Sequence, residues 1–215
     1  MKKITFLLIL LISGISFAQI NVEEIKKNAE ENPQAYFYSH LEAFKKDPSN
    51  LTEKELNEMY YGSRFVKTAY SMADYNKDYD EIWKIASRKG LSKSRAQELL
   101  PAAEAAYNKN PLNRDILVSM VNIYQASGEK AKADLCVLQN NMIIKIIDKS
   151  GTGQNENSPI CVITVGDMMT FAKPVMMMGR DFKQKELKTD KSSMMTEYSN
   201  GKISLFEKCV GCLNF

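Results

Sequence analysis

One histidine, His40, and one tryptophan, Trp83, stand in 215 residues. A single imidazole excludes the His-Glu-x-x-His metalloprotease helix and leaves histidine-based catalysis little material. On a helix shared with Phe37 and Phe44, His40 reads as a surface or partly packed residue rather than a general base. Gly-x-Ser-x-Gly elbows and Walker-type Gly-Lys-Ser loops are also lacking. Gly151-Thr152-Gly153 has no third glycine and precedes a strand, the wrong order for a dinucleotide cradle. No cofactor is implied. An excess of either charge is missing too, since 29 Lys plus Arg face 26 Asp plus Glu. That balance gives no reason to expect a nucleic-acid partner. After the first 18 residues no apolar run approaches the roughly 20 residues that cross a bilayer.

Those first residues read as an export signal. Lys2 and Lys3 precede the apolar run Ile4 to Ile12, and Ser16-Phe17-Ala18 places small residues at the cleavage-recognition positions. The expected mature N-terminus is Gln19, with no cysteine following to anchor a lipid. Residues 1–18 are therefore expected to be a signal peptide, 19–149 a helical region and 150–215 a small α/β tail.

The helical region is organised around Ala102 to Ile147. An alanine-rich helix ends at Asn110-Pro111, a second runs from about Asn113 to Ala126, and Gly128 separates it from a third ending near Ile147. Helix, turn, helix, turn, helix is the pattern of a tetratricopeptide-like array, whose repeats are about 34 residues long. Ala43 to Asn50 matches Ala106 to Asn113 in kind, 63 residues apart. Upstream, Val22 to Glu31 predicts a short charged helix, and Phe37, Leu41 and Phe44 form one apolar stripe from Gln34 to Lys46. Thr52 with Glu55 predicts a capping box. Ser92 or Ser94 should cap a helix that Pro101 kinks or restarts. Leu135, Leu138, Met142 and Ile146 predict the buried face of the third helix, widened by Ile143 and Ile147.

From Ser150 to Ser158 the composition turns to polar loop. Ile160 to Val165 predicts a strand, and Asp167 the cap of a helix interrupted by Pro174 and closed by Gly179. Strands follow at Asp181–Lys188, Met194–Ser199 and Lys202 to Cys209, with Asn200-Gly201 as a tight hairpin turn. The fold class is α+β: mostly α, with tetratricopeptide-like hairpins followed by a βαβββ-like unit.

This joint resembles domain of unknown function family four-nine-one-nine, exported proteins of Gram-negative bacteria. The marks are Gly151-Thr152-Gly153, Asn155-Glu156, Val162-Ile163-Thr164-Val165 and Asp167. Met168-Met169 replaces the family's acidic-aromatic pair, and Cys209 and Cys212 lie outside the pattern. The resemblance implies architecture and export, and it carries no catalytic residue.

Asp148, Ser150, Thr152 and Glu156, with Gly153 between, sit at the offsets of a calcium loop, but Pro159 occupies the position of its bidentate glutamate. The segment reads as a turn. Cys209 and Cys212 have redox spacing without a following helix to activate a thiolate, and read as a removable terminal disulfide or as inert thiols. Cys136 and Cys161 read as buried thiols. The methionines at 168, 169 and 176 read as core packing against the sheet. The expected function is a non-enzymatic scaffold, periplasmic or secreted, that binds a protein or peptide. Tyr36, Tyr60, Tyr61, Arg64 and Tyr70 are its candidate surface anchors, because tyrosine and arginine are enriched in binding hot spots, and they equally suit core and rim positions. Metal handling or thiol redox through Cys209, Cys212 and the methionines is the alternative, and a hydrolase with a carboxylate site the second.

Overall fold

The structure, a computed structural model, describes residues 20–67, 82–84, 86, 90–178, 181–189 and 193–212. Tyr70, Ile85 and Gly179 lie outside the described residues.

Local caps set the helix starts. The Asn21 side chain accepts from the Glu24 N–H and opens α1 (Val22–Glu31), which buries Ile25 and Ala29. A single π-helical turn, Gln34–Tyr38, runs into α2 (Ser39–Lys46). Phe37 and Phe44 are buried along this rod and Leu41 is half-buried. The capping box of Thr52 and Glu55 forms as expected and starts α3 (Glu53–Gly62).

Helices α4 (Lys93–Lys109), α5 (Arg114–Ser127) and α6 (Lys130–Asp148) then pack one against the next. Ser92 caps α4, and the Asn113 side chain caps α5 by accepting from the Asp115 and Ile116 N–H groups. Gly128, at φ +90°, closes α5 in the left-handed region that side chains avoid. Pro101 does not restart α4. Its ring lies on the exposed face, while Ala96, Leu99 and Ala103 bury the other face, so packing outweighs the one hydrogen bond that proline removes.

The buried seam of α6 also differs from expectation. Ala133, Cys136, Gln139, Ile143, Ile146 and Ile147 are buried, while Leu135, Leu138 and Met142 flank them half-buried. Gln139 turns inward because its partners are inside. Its Nε2 donates to the Phe44 carbonyl at 2.9 Å, and its amide pairs with the Tyr107 hydroxyl. This ties α6 to α2 and α4.

Beyond the Ser150 turn, β1 (Ile160–Val162) is shorter than expected, because α7 (Val165–Met177) already begins at Val165. Thr164, not Asp167, is the cap, its hydroxyl accepting from the Asp167 N–H. Strands β2 (Lys183–Thr189), β3 (Ser193–Ser199) and β4 (Ser204–Val210) complete a four-stranded sheet of order β1-β4-β3-β2. The β1–β4 pair is parallel and the others antiparallel. Residues 200–203 form the β3–β4 loop, wider than a two-residue turn, with only Gly201 (φ +78°) at positive φ there. Asn200 organises it. Its Oδ1 accepts from the Lys202 and Ile203 N–H groups, and its Nδ2 donates to the Val175 carbonyl of α7.

One apolar cluster runs from Ile25 through α3, α5 and α6 to Val162, Val175 and Cys209, so the helices and the mixed unit share a core. Ile123 and Met120 are fully buried within it. Ile123→Ala is expected to cost about 2–5 kcal/mol, the transfer loss plus the cavity left behind. Urea unfolding should show this as a lower midpoint at unchanged slope, and an unmoved midpoint would contradict the packing.

Candidate functional site at the joint between helices and sheet

Two adjacent tyrosines tie the helical part to the mixed unit. Tyr60 and Tyr61 sit a residue apart on α3, so their side chains diverge by about 100°. The Tyr60 hydroxyl donates to Asp167 Oδ2 of α7 at 2.8 Å, and the Tyr61 hydroxyl donates to the Cys161 carbonyl of β1 at 2.8 Å. Both rings are fully buried. Burial first, then the Asp167 charge beside Tyr60 and the Cys161 side chain beside Tyr61, push both phenols well above their ordinary range. They remain neutral donors. Of the two readings, surface anchor or core residue, Tyr60 and Tyr61 take the second: they are internal struts.

Asp167 collects three side-chain donors. Besides Tyr60, the Thr164 hydroxyl donates to Oδ2 at 2.9 Å and Arg114 Nη1 donates to Oδ1 at 3.1 Å. Arg114 also donates through Nε to Asn140 Oδ1 at 3.2 Å and lies over the Phe171 ring. Acid and base are both largely buried. A carboxylate with its lone pairs so occupied suits cross-linking four elements better than proton transfer. Asp115 is raised above its ordinary value, chiefly by burial and then by the Asp167 charge, with Arg114 opposing.

Glu207 is the exception to this satisfied network. It is fully buried, and neither carboxylate oxygen has a hydrogen-bond partner; nor has the Thr196 hydroxyl opposite it on β3. Burial, followed by the charge of Asp167, pushes the Glu207 carboxyl up to about 8.

A pocket of ≈ 170 Å³ opens beside this joint. It lies where the Asn110-Pro111 turn meets the rod of Phe37 to Leu41, the end of α3 and the β1–α7 junction. Phe37, Leu41, Pro111, Leu112 and Ile163 supply its apolar walls. Tyr38, Ser63, Arg64, Thr164, Asn108, Lys109, Asn110 and Asn113 complete the lining. The Tyr38 hydroxyl is already committed to the Lys67 carbonyl at 2.7 Å. Arg64 is held through Nε and Nη2 to the Gly211 carbonyl, at 3.3 and 2.8 Å.

That bond brings the terminal cysteines into the joint. Cys209 and Cys212 are paired, their Cα atoms 5.6 Å apart, and both are buried. Cys212 Sγ lies 3.6 Å from the Ile163 carbonyl oxygen, and Gly211 at φ +65° lies so close to Arg64 that a Cβ would come within 2.6 Å of the arginine's own. The segment is core, not the removable tail expected from its position near Phe215. Cys136 and Cys161 are buried thiols, both pushed up to about 11 by burial.

Of the expected anchors, Arg64 lines the pocket and Tyr36 is half-buried outside its lining. The methionines divide. Met168 is buried, Met176 half-buried, and Met169, Met177 and Met178 are exposed, which corrects the expectation that Met169 faces the sheet. In the 148–159 loop, Ser150 is buried, its hydroxyl donating to the Ile147 carbonyl at 2.6 Å and accepting from the Cys161 N–H at 2.7 Å. It positions β1 instead of facing a cation. A Cβ on Gly151 would overlap the Pro159 carbonyl, so that close approach requires glycine.

Sequence reasoning missed Arg114, Glu207, Leu41 as a pocket wall, and Lys109. Glu207 carried a signal, since it shares strand parity with Leu205 and Cys209 and so had to point inward with them. The profile of a family described as Domain of unknown function (DUF4919) matches residues 23–204. No curated protein and no solved structure matches the chain.

Proposed function

The chain belongs to the DUF4919 family, whose description carries no activity, and from its own surface we propose that it is a non-enzymatic scaffold seating a peptide or protein partner at the joint pocket. The observation that carries this reading is the pocket itself: apolar walls, asparagine amides in the lining, and a frame of buried hydrogen bonds beside it. Such a lining is the usual composition of a ligand site. Its volume, ≈ 170 Å³, is close to the roughly 150 Å³ cavity that holds a benzene ring. It suits one large apolar side chain and not a whole metabolite. The helix pairs α4–α5 and α5–α6 support a tetratricopeptide-like scaffold, and the leader-like first 18 residues support work in the periplasm or cell envelope. Burial of Cys209 and Cys212 favours a structural pair over thiol exchange, which needs access.

Selection of a random peptide library on the purified protein tests the reading. Enriched peptides are expected to share an apolar residue and to lose at least about tenfold in affinity, or 1.4 kcal/mol, on Leu41→Asp. Leu41 is only half-buried, so the variant should fold. No enrichment, or peptides indifferent to Leu41→Asp, would remove the pocket from the function.

A further inference from the structure

Resting on that reading, we infer that the group seated in the pocket is an apolar side chain beside a carboxylate, as the C-terminal residue of a peptide presents them. The charge of the lining is one-sided. Among the described residues, Arg64 and Lys109 contribute to it and no aspartate or glutamate does. Three acids close in sequence, Glu42, Asp115 and Asp167, stay out of the lining. Asp167 takes donors from Tyr60, Thr164 and Arg114, and Asp115 lies past the Asn113 cap without joining the lining.

Geometry then limits how much of a peptide enters. A pocket of ≈ 170 Å³ accepts one ring or branched side chain between Phe37, Leu41 and Leu112. The main chain must stay outside, where the lining offers it the Asn108 and Asn110 amides, which both donate and accept, while Asn113 Oδ1 is taken by the α5 cap. A chain that terminates there sets its carboxylate beside the basic rim, within the positive field of Lys109. An internal residue would instead bring a second peptide arm and no charge. Capture of a terminal carboxylate by basic and amide groups is an established mode of peptide recognition. In surroundings partly shielded from water, a charge-assisted hydrogen bond is about twice as strong as a neutral one.

The test compares three probes on the purified protein: fluorescein-Gly-Gly-Gly-Phe with a free carboxylate, the same peptide as its amide, and 3-phenylpropionate as an unlabelled competitor. The free-acid peptide is expected to bind at least about tenfold more tightly than the amide. That advantage should shrink in Lys109→Gln and with added salt, and Leu41→Asp should abolish binding of both peptides. Competition by 3-phenylpropionate at the peptide's own affinity would keep the carboxylate and assign it to a free acid instead of a chain end. Equal binding of acid and amide, both lost in Leu41→Asp, would overturn the carboxylate inference and keep the pocket. Binding of neither peptide, or binding untouched by Leu41→Asp, would overturn both.

Discussion

Replacing Asp167 with alanine is expected to destabilise the protein by about 3–5 kcal/mol, the cost of leaving a buried charge without its partner. Arg114 is the charge left behind, largely buried, with the Asn140 amide still accepting from it and the Asp115 charge coupled to it. The Tyr60 hydroxyl loses its acceptor in the same substitution. Urea unfolding followed by circular dichroism measures the effect, and a loss below about 1 kcal/mol would mean that the ion pair is bathed by water. The double change Asp167→Leu, Arg114→Met should recover much of the stability, because removing both members of a buried pair is often neutral. Failure of that rescue would show that Asp167 acts mainly through Tyr60 and Thr164.

The second large effect is a dependence on pH. Glu207 carries its proton up to about 8 in the folded chain, against an ordinary value of 4.5. The folded state therefore binds the proton more tightly than the unfolded one. The stability contributed by the neutral acid is complete below about 4.5 and is lost progressively as pH rises toward about 8. In that window the slope reaches about 1.4 kcal/mol per pH unit. The Asp167 charge, the Thr196 hydroxyl and the Tyr198 phenol are the polar groups coupled to or opposite Glu207, and none of them is a cation that would compensate a carboxylate. Glu207→Gln keeps the shape and cannot ionise. It should flatten this part of the profile and exceed the parent in stability above pH 8, as urea midpoints across the range would show. A parent profile already flat between pH 5 and 8 would contradict the burial of an unpartnered acid.

What the sequence made legible was local. Thr52 with Glu55, Asn113 before α5 and Gly128 after it are signals spanning three or four residues, and each produced the expected boundary. The expected positions of β2 to β4 agree with the observed strands to within about two residues. The joint was not legible, because its bonds link residues far apart in the chain. Tyr60 meets Asp167 across 107 positions, and Arg64 meets Gly211 across 147. A tyrosine on a helix carries no mark that distinguishes a strut from a surface anchor. The Pro111 turn was visible as punctuation, but that it walls a pocket depends on the rod of α2 and the β1–α7 junction arriving beside it.

The order β1-β4-β3-β2 has a consequence for the route by which this chain folds. Chains emerge N-terminus first, and α1 to α6 rely largely on contacts made among themselves. For β1 the sequence of events is reversed, since its only paired neighbour in the sheet is β4, whose residues arrive last of the four strands. Until Ser204–Val210 slots between β1 and β3, the acceptor strand of Tyr61 has no ladder and the Arg64 guanidinium no Gly211 carbonyl. The closing of a loop of such length is slow relative to helix pairing. Helices α1 to α6 are therefore expected to assemble before the joint, which the final strand completes.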